Sequence, residues 1–275
     1  MTYRSLMVQL DLADPSDAAL RITCELADLF KAEVIGIAAG FPTAPVHADG
    51  MIATSVLEAN YEELQRDLAR CEGRFRAALT PLGIPAHWRS EMANPAEFLA
   101  AQSRAADLII VGRHRDRSIL LPQQALDIGD TVMRAGRPML LVPPGMTSLA
   151  FNRLMVAWKD TAESRRAVAA ALPLLKLAGE VRIIEIVSAE SEERDAAARI
   201  ADVAAWLQRH GVAASATVEK PAGDAGSHLD LLAAQNKADI VIAGAYGHSR
   251  IREWALGGVT RHFIRHAATC TFLMH

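Results

Sequence analysis

The chain has 275 residues, 51% of them hydrophobic. That is enough for one large core or for two domains of about 140 residues. A formal charge of −3, from 29 basic and 32 acidic side chains, supplies no field to gather nucleic acid or an anionic membrane surface. No segment reaches the roughly 18 apolar residues of a bilayer span, and Cys24, Cys71 and Cys270 are too far apart for a metal-ligand spacing, so a cytoplasmic protein with reduced thiols is expected.

In chain order, a short apolar run over 6–10 reads as a strand, 16–30 as a helix and 33–38 as a second strand. The stretch 40–50, with two prolines, two glycines and His47, reads as a loop. A long amphipathic helix follows. Val56, Leu57, Tyr61, Leu64, Leu68, Cys71 and Phe75 keep the three-to-four-residue spacing, and Gly83 ends it. A weak strand over 85–91, a helix over 96–104, a strand over 108–111, a short helix over 131–135 and a strand over 139–142 complete the first half.

The breakers Pro143-Pro144-Gly145 place a boundary near residue 147, after which the same order returns. Strands are expected at 154–157, 181–187, 213–219, 240–243 and 271–274, with helices at 164–177, 192–210, 229–236 and 259–265. Pro173 inside the helical pattern predicts a kink or break. The return is a true repeat: Leu6-Met7-Val8 recurs as Leu154-Met155-Val156, an offset of 148. Leu99-Ala100-Ala101-Gln102 recurs as Leu232-Ala233-Ala234-Gln235, an offset of 133, so the first copy carries the insertion, placed at 40–50. Alternating apolar strands and helices imply open parallel sheets covered on both faces.

Ligands of such sheets settle beyond the carboxyl ends of strands, where strand order reverses. There the fourth strand of the second copy runs into Gly244-Ala245-Tyr246-Gly247, followed by Gly257-Gly258-Val259-Thr260 at the start of a helix. Glycines let backbone approach an anion, and a helix N-terminus supplies free N–H donors. Tight turns and close packing are the competing explanation for each glycine taken singly.

On these residues the chain resembles the universal stress protein family in its tandem two-domain form, whose nucleotide-binding members carry G-x2-G-x9-G-(S/T). The resemblance implies an α/β fold of two tandem open five-stranded parallel sheets, helices on both faces, related by a pseudo-two-fold axis (the adenine nucleotide alpha hydrolase-like fold). Residues 1–146 would form a domain with a degenerate site and 150–275 one with a nucleotide site. The fifth strands would pair within the chain as an internal pseudo-dimer, and a homodimer of the whole chain is a further expectation.

By position, the resemblance assigns ATP or a related adenine nucleotide, with or without Mg²⁺, to Ala157, Trp158, Val187, Ala243, Gly244, Gly247, Gly257, Gly258, Val259 and Thr260. Two departures stand out. Gly258 replaces the usual Ser or Thr, and Lys159 replaces the strand-one acid, with Asp160 one place later. The first copy keeps Asp11 and Gly112 but has Arg115 for the second glycine, so it is expected to bind no ATP. Arg113, His114, Arg115 and Arg117 are read there as a solvated basic loop rather than an anion site.

Other constellations are weaker. His262, His266 and Cys270 recur at fours but without an evident acid, favouring a helix-end or surface role over a metal. Ser249 lies in no nucleophile elbow. Trp88, Trp158, Trp206 and Trp254 are scattered, so packing is the expectation, with Trp158 singled out for the pocket. The functional expectation is a stress-response or regulatory protein binding an adenine nucleotide, with no nucleic-acid or membrane partner and at most weak ATPase activity. A nucleotide-free interaction module and a slow ATP hydrolase are the alternatives.

Overall fold

The computed structural model describes residues 2–12, 17–42, 54–113, 125–245 and 258–275. The first half contains β1 (Ser5–Gln9), α1 (Ala18–Phe30), β2 (Glu33–Ala39), α2 (Thr54–Leu79), β3 (Ala86–Glu91), α3 (Pro95–Gln102), β4 (Leu108–Gly112), α4 (Ile128–Ala135) and β5 (Met139–Val142). The second contains β6 (Arg153–Trp158), α5 (Ala162–Ala170), α6 (Leu172–Leu175), β7 (Glu180–Ile186), α7 (Glu193–Arg209), β8 (Ala214–Glu219), α8 (Ala225–Gln235), β9 (Ile240–Gly244), α9 (Gly258–Arg265) and β10 (Cys270–Met274). Most of the expected loop over 40–50 lies outside the described residues.

All ten strands join one sheet in the order β3-β2-β1-β4-β5-β10-β9-β6-β7-β8, which presents the same succession from either edge. Within each half the neighbours are parallel. Among the described residues, strands run antiparallel only at the seam, β5 on β10, with Leu140 opposite Phe272. The fifth strands therefore pair as expected, and the two five-stranded halves share one continuous sheet.

Side chains alternate across the central strands, so the apolar residues divide into two layers. Leu154, Val156 and Trp158 face the layer built with α1, α2, α5 and α7. Met155 and Ala157 face the layer built with α3, α4, α8 and α9. The first layer runs unbroken from one half to the other.

Several bonds tie the halves together. The Tyr3 hydroxyl donates to the Ala170 carbonyl at 2.8 Å, and the Leu149 N–H donates to a Glu25 carboxylate oxygen at 3.0 Å. Burial beside Asp107 pushes the Tyr3 hydroxyl well above its usual range, so it stays a neutral donor.

The proline expectation is met with a clear cause. α5 stops at Ala170 and α6 restarts at Leu172, so Pro173 stands in a first turn, where a missing N–H costs no intrahelical bond. Several boundaries shift by one to four residues, the largest at α8, which begins at Ala225, four residues before Leu229. Asp224 caps it, accepting from the Ser227 N–H at 3.0 Å, and within its first turn a Cβ on Gly226 would stand 2.5 Å from the His262 Cβ on α9. The absence of a side chain at Gly226 is thus a packing requirement.

Candidate functional site

In the second half the chain leaves β6 toward β7 on one side and returns as β9 on the other. The crevice beyond the carboxyl ends of β6 and β9 is therefore the switch point of this sheet. Strand register places Ala157 beside Ala243, both nearly buried, at 9% and 4% exposed. Gly244 follows directly and ends β9.

A Cβ on Gly244 would stand 2.5 Å from the Ser164 backbone nitrogen and 2.8 Å from the Glu163 carbonyl carbon. The glycine therefore lets the first turn of α5 lie against the strand end. Thr161 caps that helix, its hydroxyl accepting from the Ser164 N–H at 3.3 Å. The close-packing explanation for a glycine is realised here, whatever else Gly244 does.

Gly258, Val259 and Thr260 form the first turn of α9. Gly258 is exposed, Val259 half-buried and Thr260 buried. A Cβ on Gly258 would meet an Asp224 carboxylate oxygen at 3.5 Å, an ordinary contact. Space for a side chain thus exists where the family usually has Ser or Thr, and a carboxylate stands at the amino end of α9. Hydrogen bonds from the Ser227 backbone hold the Asp224 carboxyl below the usual carboxylate range, keeping it charged.

Trp158 lies on the other face. It pairs in register with Glu185 and packs in the layer of α5 and α7, whereas Ala157 faces α8 and α9. Val187, just past β7, is buried and donates its N–H to the Glu219 carbonyl at 3.0 Å. Lys159 is exposed, and its carbonyl accepts from the Thr161 N–H at 2.7 Å. Asp160 accepts from Arg165 at 2.7 Å on the surface. Gly247 and Gly257, like Ser249 and Trp254, lie outside the described residues.

The first copy carries one correction. Arg113 is not part of a solvated loop: it is 8% exposed, and its guanidinium donates to the Phe263 carbonyl at 3.3 Å, near the carboxyl end of α9 in the other half. A cation at a helix C-terminus is favoured by the helix dipole. Sequence offered no sign of it, because its partner is 150 residues away. His114, Arg115 and Arg117 lie outside the described residues. Asp11 is buried, and its carbonyl accepts from Arg74 at 3.4 Å.

The α9 histidines carry a second correction, since an acid does stand nearby. Asp230 on α8 approaches the His262 ring nitrogen at 3.5 Å. The His266 ring lies tilted against that of His262, ring centres 5.5 Å apart. Cys270 belongs to the opposite layer, and burial pushes its thiol up to about 12. Among the described residues no three metal-ligating side chains gather. All three cysteines are free, and no helix among the described residues is long and apolar enough to cross a membrane.

With this geometry in view, the comparisons agree on the class. The model of the universal stress protein family matches twice, over residues 2–129 and 150–274, and the chain belongs to that family. A universal stress protein from Archaeoglobus fulgidus is similar along nearly the whole length, with a TM-score of 0.71, 17% identity, 98% of this chain covered and 95% of that one. A functionally unknown protein from Pseudomonas aeruginosa is similar with a TM-score of 0.65, 14% identity and coverage of 99% and 92%. At such identities the likeness concerns the fold. No curated protein matches.

Proposed function

We propose that this universal stress protein binds ATP or a related adenine nucleotide in its C-terminal copy, beyond the carboxyl ends of β6 and β9, as a cytoplasmic regulator rather than an enzyme. The observation that carries the reading is the first turn of α9. Gly258, Val259 and Thr260 begin a helix at the switch point, where N–H groups without intrahelical partners favour an anion. Ala157 and Ala243, side by side on the face of that helix, offer small walls. The phosphate turn would be completed by Gly244, Gly247 and Gly257, with Val187 at the end of β7 toward the base.

Asp224 refines the proposal. A carboxylate near Gly258 opposes a bare phosphate at that point, so the Mg²⁺ complex would be the favoured form, and Asp224 would be a carboxylate available to the ion. Lys159, exposed at the end of β6, offers a cation to the phosphates instead of an acid to the ribose.

A second reading has its own support. Gly244 has a packing reason, Asp224 repels anions and Lys159 stands where the family has an acid, which together favour a nucleotide-free interaction module. Denaturing the purified protein and assaying the supernatant for adenine nucleotide, followed by titration of the refolded protein with ATP and Mg²⁺, separates the two. Nucleotide released or bound sustains the first reading. Absence of both transfers the function to the protein's surfaces.

A further inference from the structure

A groove of about 550 Å³ opens between α5 and α7, on the face of the sheet away from α8 and α9. Trp158 forms one side, at the end of β6, and Trp206 on α7 another, with Val168 and Val203 between them. Trp206 is half-buried and packs on His210 with ring centres 4.4 Å apart, which fixes the plane of its indole.

Two residues that line this groove, Trp158 and Arg199, and Glu185, which Arg199 contacts behind them, carry polar atoms without hydrogen-bond partners. The Nε1 of Trp158, 92% buried by its 8% exposure, has no hydrogen bond, nor do Arg199 Nε and Glu185 Oε2. The three residues adjoin one another: Trp158 is the register partner of Glu185, and Glu185 accepts from Arg199 Nη2 at 2.8 Å. Two donors and one acceptor are thus left unsatisfied beside a groove walled by indoles, and unmade buried bonds are costly.

Charge decides what kind of molecule would satisfy them. Asp160, Glu185 and Asp202 offset Arg165, Arg199 and Arg209, so the surroundings are neutral and select against a polyphosphate. Flat apolar walls select a ring. The orphaned atoms ask for an acceptor and a donor close together, as on an amide or the edge of a nucleobase.

At the matching described residues of the first copy the space is far smaller. The offset of 148 pairs Trp158, Arg165 and Val168 with Leu10, Asp17 and Leu20, and at those residues only about 20 Å³ remains. Arg74 fills the space, bonded to the Asp11 carbonyl at 3.4 Å and 3.8 Å from Asp17. Among the described residues, the two indole walls and the wider space between them are therefore features of the second copy.

We propose that the groove between α5 and α7 is a second small-molecule site, distinct from the crevice at β6 and β9, that takes an uncharged flat heterocycle carrying an amide-like edge. The ring lies along Trp206, its carbonyl-type acceptor receives the Trp158 and Arg199 donors, and its N–H donates to Glu185.

The test is a titration followed through the tryptophan indole N–H signals in nitrogen–proton correlation spectra, assigned with Trp158→Phe and Trp206→Phe. Nicotinamide and uridine, at millimolar concentration, are expected to shift the Trp158 and Trp206 signals saturably while acetamide and inorganic phosphate do not. Trp206→Ala should weaken the response by about fivefold to tenfold, the loss of one stacking face. Thr260→Val, in the proposed nucleotide crevice, should leave it unchanged. No shift with either heterocycle, an equal shift with acetamide, or loss of the response in Thr260→Val would each overturn the proposal. The last outcome would place the heterocycle in the nucleotide crevice instead.

Discussion

The backbone nitrogen of Ser164 stands 2.5 Å from the position a Cβ on Gly244 would take. The end of β9 and the start of α5 are thus in direct backbone contact, and the two walls of the switch-point crevice are built as one piece. In the first copy the matching Gly112 meets only the Ala19 side chain, at 3.7 Å.

That difference predicts opposite results from the same substitution. Gly244→Ala must push α5 off the strand end and should cost about 1–3 kcal/mol, the range for overpacking a closed site. Gly112→Ala adds a methyl at ordinary contact distance and should change stability by less than about 0.5 kcal/mol. Urea unfolding of both variants checks the contrast, and equal losses would contradict it.

Arg113 should matter to the joint between the halves. Arg113→Met keeps much of the packing but removes the donor to the Phe263 carbonyl, leaving a buried acceptor at the end of α9. A loss of about 1–3 kcal/mol is expected. Proteolysis or hydrogen exchange should show α9 and β10 opening before the edge strand β8 does.

Asp224 gives a pH dependence of defined sign. Its folded carboxyl titrates below the ordinary value, chiefly because the Ser227 backbone N–H bonds to the charged form. Its contribution is therefore present above about pH 4, the unfolded value of an aspartate, and is lost as pH falls through the lower folded value. Thermal unfolding of Asp224→Asn across that range should lose less on acidification than the unaltered protein does. Parallel curves would remove Asp224 as the cause.

The repeat and the alternation of elements were legible in sequence because each is periodic, whereas the pairing of β5 with β10 was implied only by the family resemblance. Leu140 and Phe272 meet at the seam, as that resemblance implies. Contacts between distant residues left no periodic trace. Tyr3 on Ala170 and Arg113 on Phe263 are 167 and 150 residues apart, and each joins side chain to backbone, so residue type at the far end carries no signal. The glycines misled in a different way. Gly226 lets α9 pass close to α8, which no local pattern announces, while Gly244 suggests a phosphate turn and also seats α5. For Trp158, strand parity decides: one residue beyond Ala157, it points to the opposite layer.

The most direct measurement of the central claim is calorimetric titration of the protein with ATP in the presence and absence of Mg²⁺, repeated on Thr260→Val and Gly258→Ser. The account predicts saturable one-site binding that is stronger with Mg²⁺, weaker in Thr260→Val, and retained or strengthened in Gly258→Ser, whose side chain fits beside Asp224. No heat of binding in any of these proteins, or binding indifferent to both substitutions, would contradict a nucleotide site at the start of α9.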